Sequence, residues 1–326
     1  MTGKHPGGTA STLGTPRPAM STNEVLSGID LSGQVSVVTG ASGGLGFETA
    51  GALAARGARV VLASRDAAKN RAAADRIREA TGRSDAADEV VLELGDLGSV
   101  RAAARTIAGR YPALHSVIAN AGVMAVPQGT TADGFETHFG VNHLGHFAFV
   151  TGLLPSLVAG APSRVVMLSS VGHRWADIDL DDPNLRQGRY RKFQAYGASK
   201  TANVLFAVEL DARYRDQGVR AFAVHPGGIQ TGLGRYMSDA DREKLRSAAA
   251  AATDGASVWK TVPQGAATSV WAAASPELDG LGGLYLEDCS IAEVDPAEAY
   301  RGVASFAADP DRAAGLWELS ERLVGR

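Results

Sequence analysis

The sequence predicts an α/β fold: a single doubly wound parallel sheet of about seven strands with helices on both faces. Short, nearly continuous apolar runs alternate with amphipathic, helix-like stretches. The runs read as strands at 34–39, 58–63, 89–93, 114–119, 164–168 and 219–224, with a short seventh at 284–286. Near-continuous apolarity at this length belongs to strands covered on both faces. Repeated strand–helix units imply parallel strands and right-handed crossovers.

The helices follow in order. Residues 45–56 are alanine-rich and close at Gly57. Asp66 can cap a second helix that ends near Gly82. Longer helical patterns cover 133–157 and 195–217. Residues 31–326 read as one domain, preceded by a disordered leader over 1–30, whose start is rich in Gly, Ser, Thr and Pro. Two stretches break the alternation, near 172–195 and 232–262. Both leave from carboxyl ends of strands, where open α/β sheets bind ligands, so they are assigned to a substrate pocket. Trp175, Tyr190, Phe193, Leu233, Tyr236, Met237 and Trp259 lie in or beside them, as pocket wall or satellite core.

Composition narrows the functional classes. A formal net charge of -3 supplies no basic field for nucleic acid. No run approaches the ~20 apolar residues of a membrane span, so no integral membrane segment is expected. The one cysteine, Cys289, cannot form an internal disulfide and reads as a small buried side chain. A cytoplasmic location is expected. No cluster of His, Cys and carboxylates has metal-site spacing. His143 and His146 read as structural histidines.

The chemistry-bearing residues fall at strand ends. After the first strand come Gly40, Ser42, Gly43, Gly44, Leu45 and Gly46, opening a helix. Glycines allow a close backbone approach, and the helix N-terminus offers free N–H groups to a pyrophosphate; a plain tight turn is the alternative. The second strand ends at Ser64 and Arg65, with no carboxylate for a free ribose 2′-hydroxyl. Arg65 can pair with a 2′-phosphate, which favours NADP over NAD. The third strand leads to Asp96 and Leu97, an adenine contact or simply a helix cap. The fourth ends at Asn120, Ala121 and Gly122, small enough to let adenosine lie close. The sixth is followed by Pro226, Gly227, Ile229 and Thr231, suited to a carboxamide and a phosphate.

Tyr196 and Lys200 stand four apart on a helical pattern and share a face. An ammonium beside a phenol lowers the phenol's pKa and makes it a usable acid or base. Ser170, at the end of the fifth strand, can donate to a reacting oxygen. Asn142 inside a helical pattern is poorly favoured, which suggests a backbone irregularity or a bound water.

Taken in order, Gly40, Gly44 and Gly46, Asp96-Leu97, Asn120-Ala121-Gly122, Asn142, Ser170, Tyr196-x-x-x-Lys200 and Pro226-Gly227 resemble the short-chain dehydrogenase/reductase family over about residues 31–290. The resemblance implies a Rossmann-type sheet in the order 3-2-1-4-5-6-7. It implies Tyr196 as acid/base, Lys200 as ribose ligand and pKa modifier, Ser170 as substrate-positioning group, and Asn142 as holder of a relay water. Ser64-Arg65-Asp66, the stretch from Asn142 to Phe147, the long insertion before Tyr196 and Ser199-Lys-Thr-Ala-Asn203 are similar to the retinol dehydrogenase-like and protochlorophyllide reductase-like branch. That branch tends to use NADP and lipophilic substrates. The expected partner is a small molecule, with a homo-oligomer open. An NADP-sensing regulatory or scaffold protein without turnover is the alternative to an enzyme.

Overall fold

A computed structural model describes residues 13–252, 259–298 and 300–325. The chain first forms α1 (Thr22–Val25), β1 (Val35–Thr39), α2 (Gly44–Ala55), β2 (Arg59–Ser64), α3 (Ala67–Thr81), β3 (Ala87–Val91), α4 (Leu97–Arg110) and β4 (Ser116–Ala119). A π-helical stretch (Phe139–Leu144) leads into α5 (Gly145–Ala159), followed by β5 (Ser163–Leu168) and α6 (Lys192–Tyr214). Then come β6 (Val219–His225), β7 (Gly228–Ile229), α7 (Asp239–Ala252), β8 (Trp259–Lys260), α8 (Val262–Ala274), β9 (Leu284–Glu287), β10 (Ser290–Ile291) and α9 (Pro310–Val324).

The sheet runs β3-β2-β1-β4-β5-β6-β9-β10. All pairs are parallel except the last. The seven expected strands and their order are therefore present, and β10 adds an eighth at the edge. The β9–β10 hairpin turns at Asp288 and Cys289, both with φ near +50°, the hand that matches strand twist.

Alternation along each strand explains the apolar runs. Val37 and Val61 face one core, with α4, α5, α6 and α9; Val38, Val60 and Leu62 face the other, with α2, α3 and α8. Helix ends follow local chemistry. Asp66 accepts from the Lys69 N–H, and α3 stops at Gly82 with φ +65°. The strand order reverses between β1 and β4, which opens the crevice where such folds bind dinucleotides.

Two expectations need correcting. The helical pattern over 133–157 starts later: Gly134 has φ +82°, and Glu136 bridges back to Thr130. The leader expected over 1–30 is ordered from Leu13 onward, and 1–12 lie outside the described residues. Ser21 and Glu24 form a capping box on α1. Leu26 is fully buried with Val25 and Leu31 in the α2–α8 core. Arg17 donates to the Cys289 carbonyl and pairs with Glu277. A few well-placed apolar and capping residues outweigh a composition rich in turn formers.

Candidate active site

One cavity of about 1530 Å³ runs along the carboxyl ends of the strands. Its wall includes every expected site residue from Gly40 to Arg65 and from Asn120 to Gly122, together with Ser170, Tyr196, Lys200, Pro226, Gly227, Ile229 and Thr231. Asn142 stands just behind that wall.

The glycine loop forms one end. Gly43 is the N-cap of α2, and no side chain caps the first N–H groups. A Cβ at Gly43 would have nothing within 4 Å, so the space over the loop is open. At Gly46 the reason for glycine is packing: a Cβ would lie 2.5 Å from Asn120 Nδ2 and 2.6 Å from the Gly40 carbonyl oxygen. Asn120 Nδ2 donates to the Thr39 carbonyl, tying the ends of β4 and β1. Ser64 Oγ accepts from the Ser42 N–H, and Arg65 is exposed to the cavity. An open, uncapped helix N-terminus with a guanidinium at the neighbouring strand end fits a dinucleotide, pyrophosphate at the helix and ribose beside Arg65.

The structure gives Asp96 and Leu97 other work. Asp96 spends its carboxylate capping α4, accepting from the Gly98 and Ser99 N–H groups. Leu97 is buried in the core. Neither lines the cavity; Leu92, Glu93 and Leu94 form its wall there. Five residues, 92–96, separate Val91 from the start of α4, so the end of β3 comes earlier than an Asp-Leu pair suggests.

The other end holds the titratable groups. Tyr196 sits just over one turn into α6, only 2% exposed, and Lys200 follows one turn later at 4%. Lys200 Nζ lies 5.7 Å from the Tyr196 ring centroid and donates to the Leu168 carbonyl. Burial pushes the phenol up to about 12, against a hydrogen bond with Ser170 that lowers it. Burial also pushes the Lys200 ammonium down to about 7. The expectation that Lys200 depresses the phenol is thus not met: the ammonium is itself desolvated and spends one N–H on a carbonyl, so burial decides both directions. Ser170 stands two residues past the end of β5, at the start of the next turn, and its Oγ accepts from the Gly172 N–H. The turn from Val171 to Trp175 packs tightly on α6. A Cβ at Gly197 would stand 2.7 Å from the Gly172 carbonyl oxygen, and one at Gly172 would stand 3.0 Å from the Tyr196 ring.

Asn142 lies in the π-helical stretch, the irregularity its sequence position suggests. Its Oδ1 accepts from the Val123 N–H, and its Nδ2 donates to the Val123 carbonyl and Ser199 Oγ. Both polar atoms of its side chain are thus bonded to protein, and its main-chain carbonyl is a further acceptor at this point. That carbonyl already accepts from His146 Nδ1. Burial lowers His146 to about 4, so the ring is neutral and its Nε2 accepts from Thr39 Oγ1. Thr39 Oγ1 in turn accepts from the Ala121 N–H. His146 is a satisfied structural histidine that links β1, β4 and the π-helical stretch. His143 is structural as well, stacked on Phe139 with one ring nitrogen on Ser320.

Sequence reasoning missed a third group near Tyr196. His138 packs edge-on against the tyrosine ring, with centroids 6.1 Å apart, and contacts Glu136 at 2.9 Å. The Tyr190 hydroxyl joins them, donating to Glu136. Glu136 to His138 fell in a stretch read as plain helix, so no spacing marked them.

Of the expected pocket residues, Trp175, Leu233, Tyr236, Met237 and Trp259 line the cavity, while Tyr190 and Phe193 pack beside it. The second insertion is bounded by strands: Gly228 pairs with Trp259 and Ile229 with Lys260. Met124, Val126 and Val141 complete an apolar wall near Tyr196. Among the described residues no metal-ligating cluster occurs, and no helix is long and apolar enough to cross a membrane.

Comparison with known proteins agrees with this geometry. The short chain dehydrogenase family profile matches residues 34–180. Mouse retinol dehydrogenase 11 is 40% identical over 317 residues, 95% of this chain and 92% of that protein. The short-chain dehydrogenase/reductase prx1 of Penicillium rubens is 39% identical over 89% of this chain and 85% of its own length. A crystal structure from Mycobacterium paratuberculosis superposes with a TM-score of 0.71 at 34% identity, over 94% of this chain and 98% of that one. Fold, cavity and relatives together place the chain in the short-chain dehydrogenase/reductase family, in its retinol dehydrogenase-like branch, as an NAD(P)-dependent oxidoreductase.

Proposed function

We propose that the chain is an NADP-dependent reductase of a carbonyl on a small, lipophilic substrate, with Tyr196 as the proton donor. The observation that carries this reading is the meeting of Tyr196, Lys200 and Ser170 on one wall of the cavity that also holds the open N-terminus of α2. A bound nicotinamide supplies the hydride, and oxidation of an alcohol is the same path reversed. Ser170 and Tyr196 hydrogen-bond the substrate oxygen and hold its carbon in place. A phenol pushed up to about 12 carries its proton at neutral pH, the loaded form that reduction needs. As negative charge grows on the substrate oxygen, Tyr196 releases that proton to it. Lys200, fixed to the Leu168 carbonyl, keeps two N–H groups for ribose hydroxyls and for the phenolate that remains. Asn142 fixes the backbone at Val123, beside the substrate end of the cavity.

Arg65 and the absence of a carboxylate at the end of β2 support NADP. Trp175, Val126, Val141 and Met237 support a lipophilic substrate. The test is a panel of aldehydes and ketones with NADPH and NADH. The expected outcome is activity with NADPH that Tyr196→Phe lowers by roughly 10²–10⁴-fold without weakening cofactor binding. Activity surviving that change unaltered would remove the acid role, and cofactor binding without turnover across the panel would favour a sensor.

A further inference from the structure

The turn that carries Ser170 is held by a side chain outside the cavity. His173, three residues on, is fully buried, and its ring packs on the Tyr285 ring with centroids 4.9 Å apart. Its Nδ1 lies 2.7 Å from the Ser170 carbonyl oxygen, and its Nε2 lies 3.0 Å from the main-chain nitrogen of Ala304, ahead of α9. A carbonyl can only accept and a backbone N–H can only donate. The ring therefore carries its proton on Nδ1, donates to Ser170 and accepts from Ala304. Burial lowers the imidazole to about 4, which keeps it in that neutral form.

The peptide between Ser170 and Val171 is gripped on both edges. Its carbonyl also accepts from the His173 N–H at 3.0 Å. Its N–H, on Val171, donates to His225 Nδ1 at 3.3 Å, and the same ring nitrogen accepts from the Gly227 N–H at 3.4 Å. A peptide is planar, so holding both edges fixes the turn at Ser170. With the Gly172 N–H on its Oγ, the serine hydroxyl has little room to wander. The main chain of His173 reaches the opposite way: its carbonyl lies 3.0 Å from Oγ1 of Thr201, the neighbour of Lys200 on α6. We propose that His173 is a positioning residue, whose Nδ1–H holds the Ser170 peptide so that the serine hydroxyl meets the substrate oxygen beside Tyr196. This rests on the reductase reading above and adds a residue that touches neither substrate nor cofactor.

The test separates the two ring bonds. His173→Asn keeps a donor near the Nδ1 position and gives up Ala304. His173→Gln keeps an acceptor near the Nε2 position and gives up Ser170. Melting temperature, kcat and KM are measured for both variants with NADPH and the aldehyde or ketone that the wild type reduces best. Each variant loses one buried hydrogen bond, so both should melt lower than wild type. Only His173→Gln should lose kcat, by about 10- to 100-fold, with KM for NADPH unchanged. Equal losses of kcat in the two variants would make His173 merely structural and overturn the proposal. Full kcat in His173→Gln would overturn it and leave the reductase reading standing. A wild type that turns over nothing on the panel would remove both. Should a variant fail to fold, ¹⁵N shifts of the assigned His173 ring in the wild type decide: a proton on Nδ1 supports the proposal, and one on Nε2 overturns it.

Discussion

At the residue scale, what decides the chemistry is burial rather than charge pairing. Tyr196 and Lys200 are legible in the sequence as a pair four apart, but their pKa directions are not, because desolvation depends on everything packed around them. Lys200, lowered from 10.5 to about 7, gives a sign that can be checked. Between those values the unfolded chain binds a proton that the folded chain lacks, so stability rises with pH there. Below about 7 both states are charged and the cost of burying the ammonium is constant. The empty wild type should therefore gain melting temperature relative to Lys200→Met as pH rises above about 7. A gap that stays flat across that range would show that Lys200 keeps an ordinary pKa. Other residues hid for a different reason. Glu136, His138 and Tyr190 meet only because two loops far apart in sequence cross behind Tyr196.

At the scale of elements, strands were the clearest signal. Each expected strand lies within two residues of its observed limits, because a strand buried on both faces needs an unbroken apolar run. Helix starts were legible where a side chain caps them, as at Asp66, and not where a turn imitates helical periodicity, as over 133–136. Contact between elements was invisible. The turn holding Ser170 meets α6 through two glycines, Gly172 and Gly197, whose positions look unremarkable in the sequence. Gly197→Ala should separate that turn from α6, because a carbonyl oxygen cannot yield as a flexible side chain can. The expected outcome is a stability loss of about 1–3 kcal/mol, with kcat falling more than KM changes, since Ser170 and Tyr196 move apart. An unchanged melting temperature and kcat would mean the backbone slides without cost.

Across the whole molecule, the doubly wound parallel sheet was legible in the repeated strand–helix units, while the strand order and its reversal between β1 and β4 followed from the family resemblance. The two ends of the chain were not legible. Residues 13–30 look like leader by composition, yet Leu26 is fully enclosed and Pro18 and Ala19 reach the cavity wall. Truncating Leu26 to Ala should cost about 2–5 kcal/mol, readable as a shift in denaturant midpoint. A shift near zero would return this segment to the status of a loose arm. α9 is likewise part of the body: Trp317 packs against Phe147 at 5.0 Å and Phe206 at 5.6 Å between ring centroids. It starts at Asp309, whose carboxylate accepts from the Arg312 N–H, with Pro310 in the first helical position.

The pairing of Ile229 with Lys260 has a practical corollary. Entry and exit of the intervening segment lie side by side, tied to each other as a separate two-stranded ribbon. A segment attached in that way can be exchanged as a cassette without disturbing what lies beneath it. Chimeras that import the corresponding stretch from a relative should keep the hydride chemistry while acquiring the donor's taste in substrates, which makes this junction the natural seam for re-engineering the enzyme.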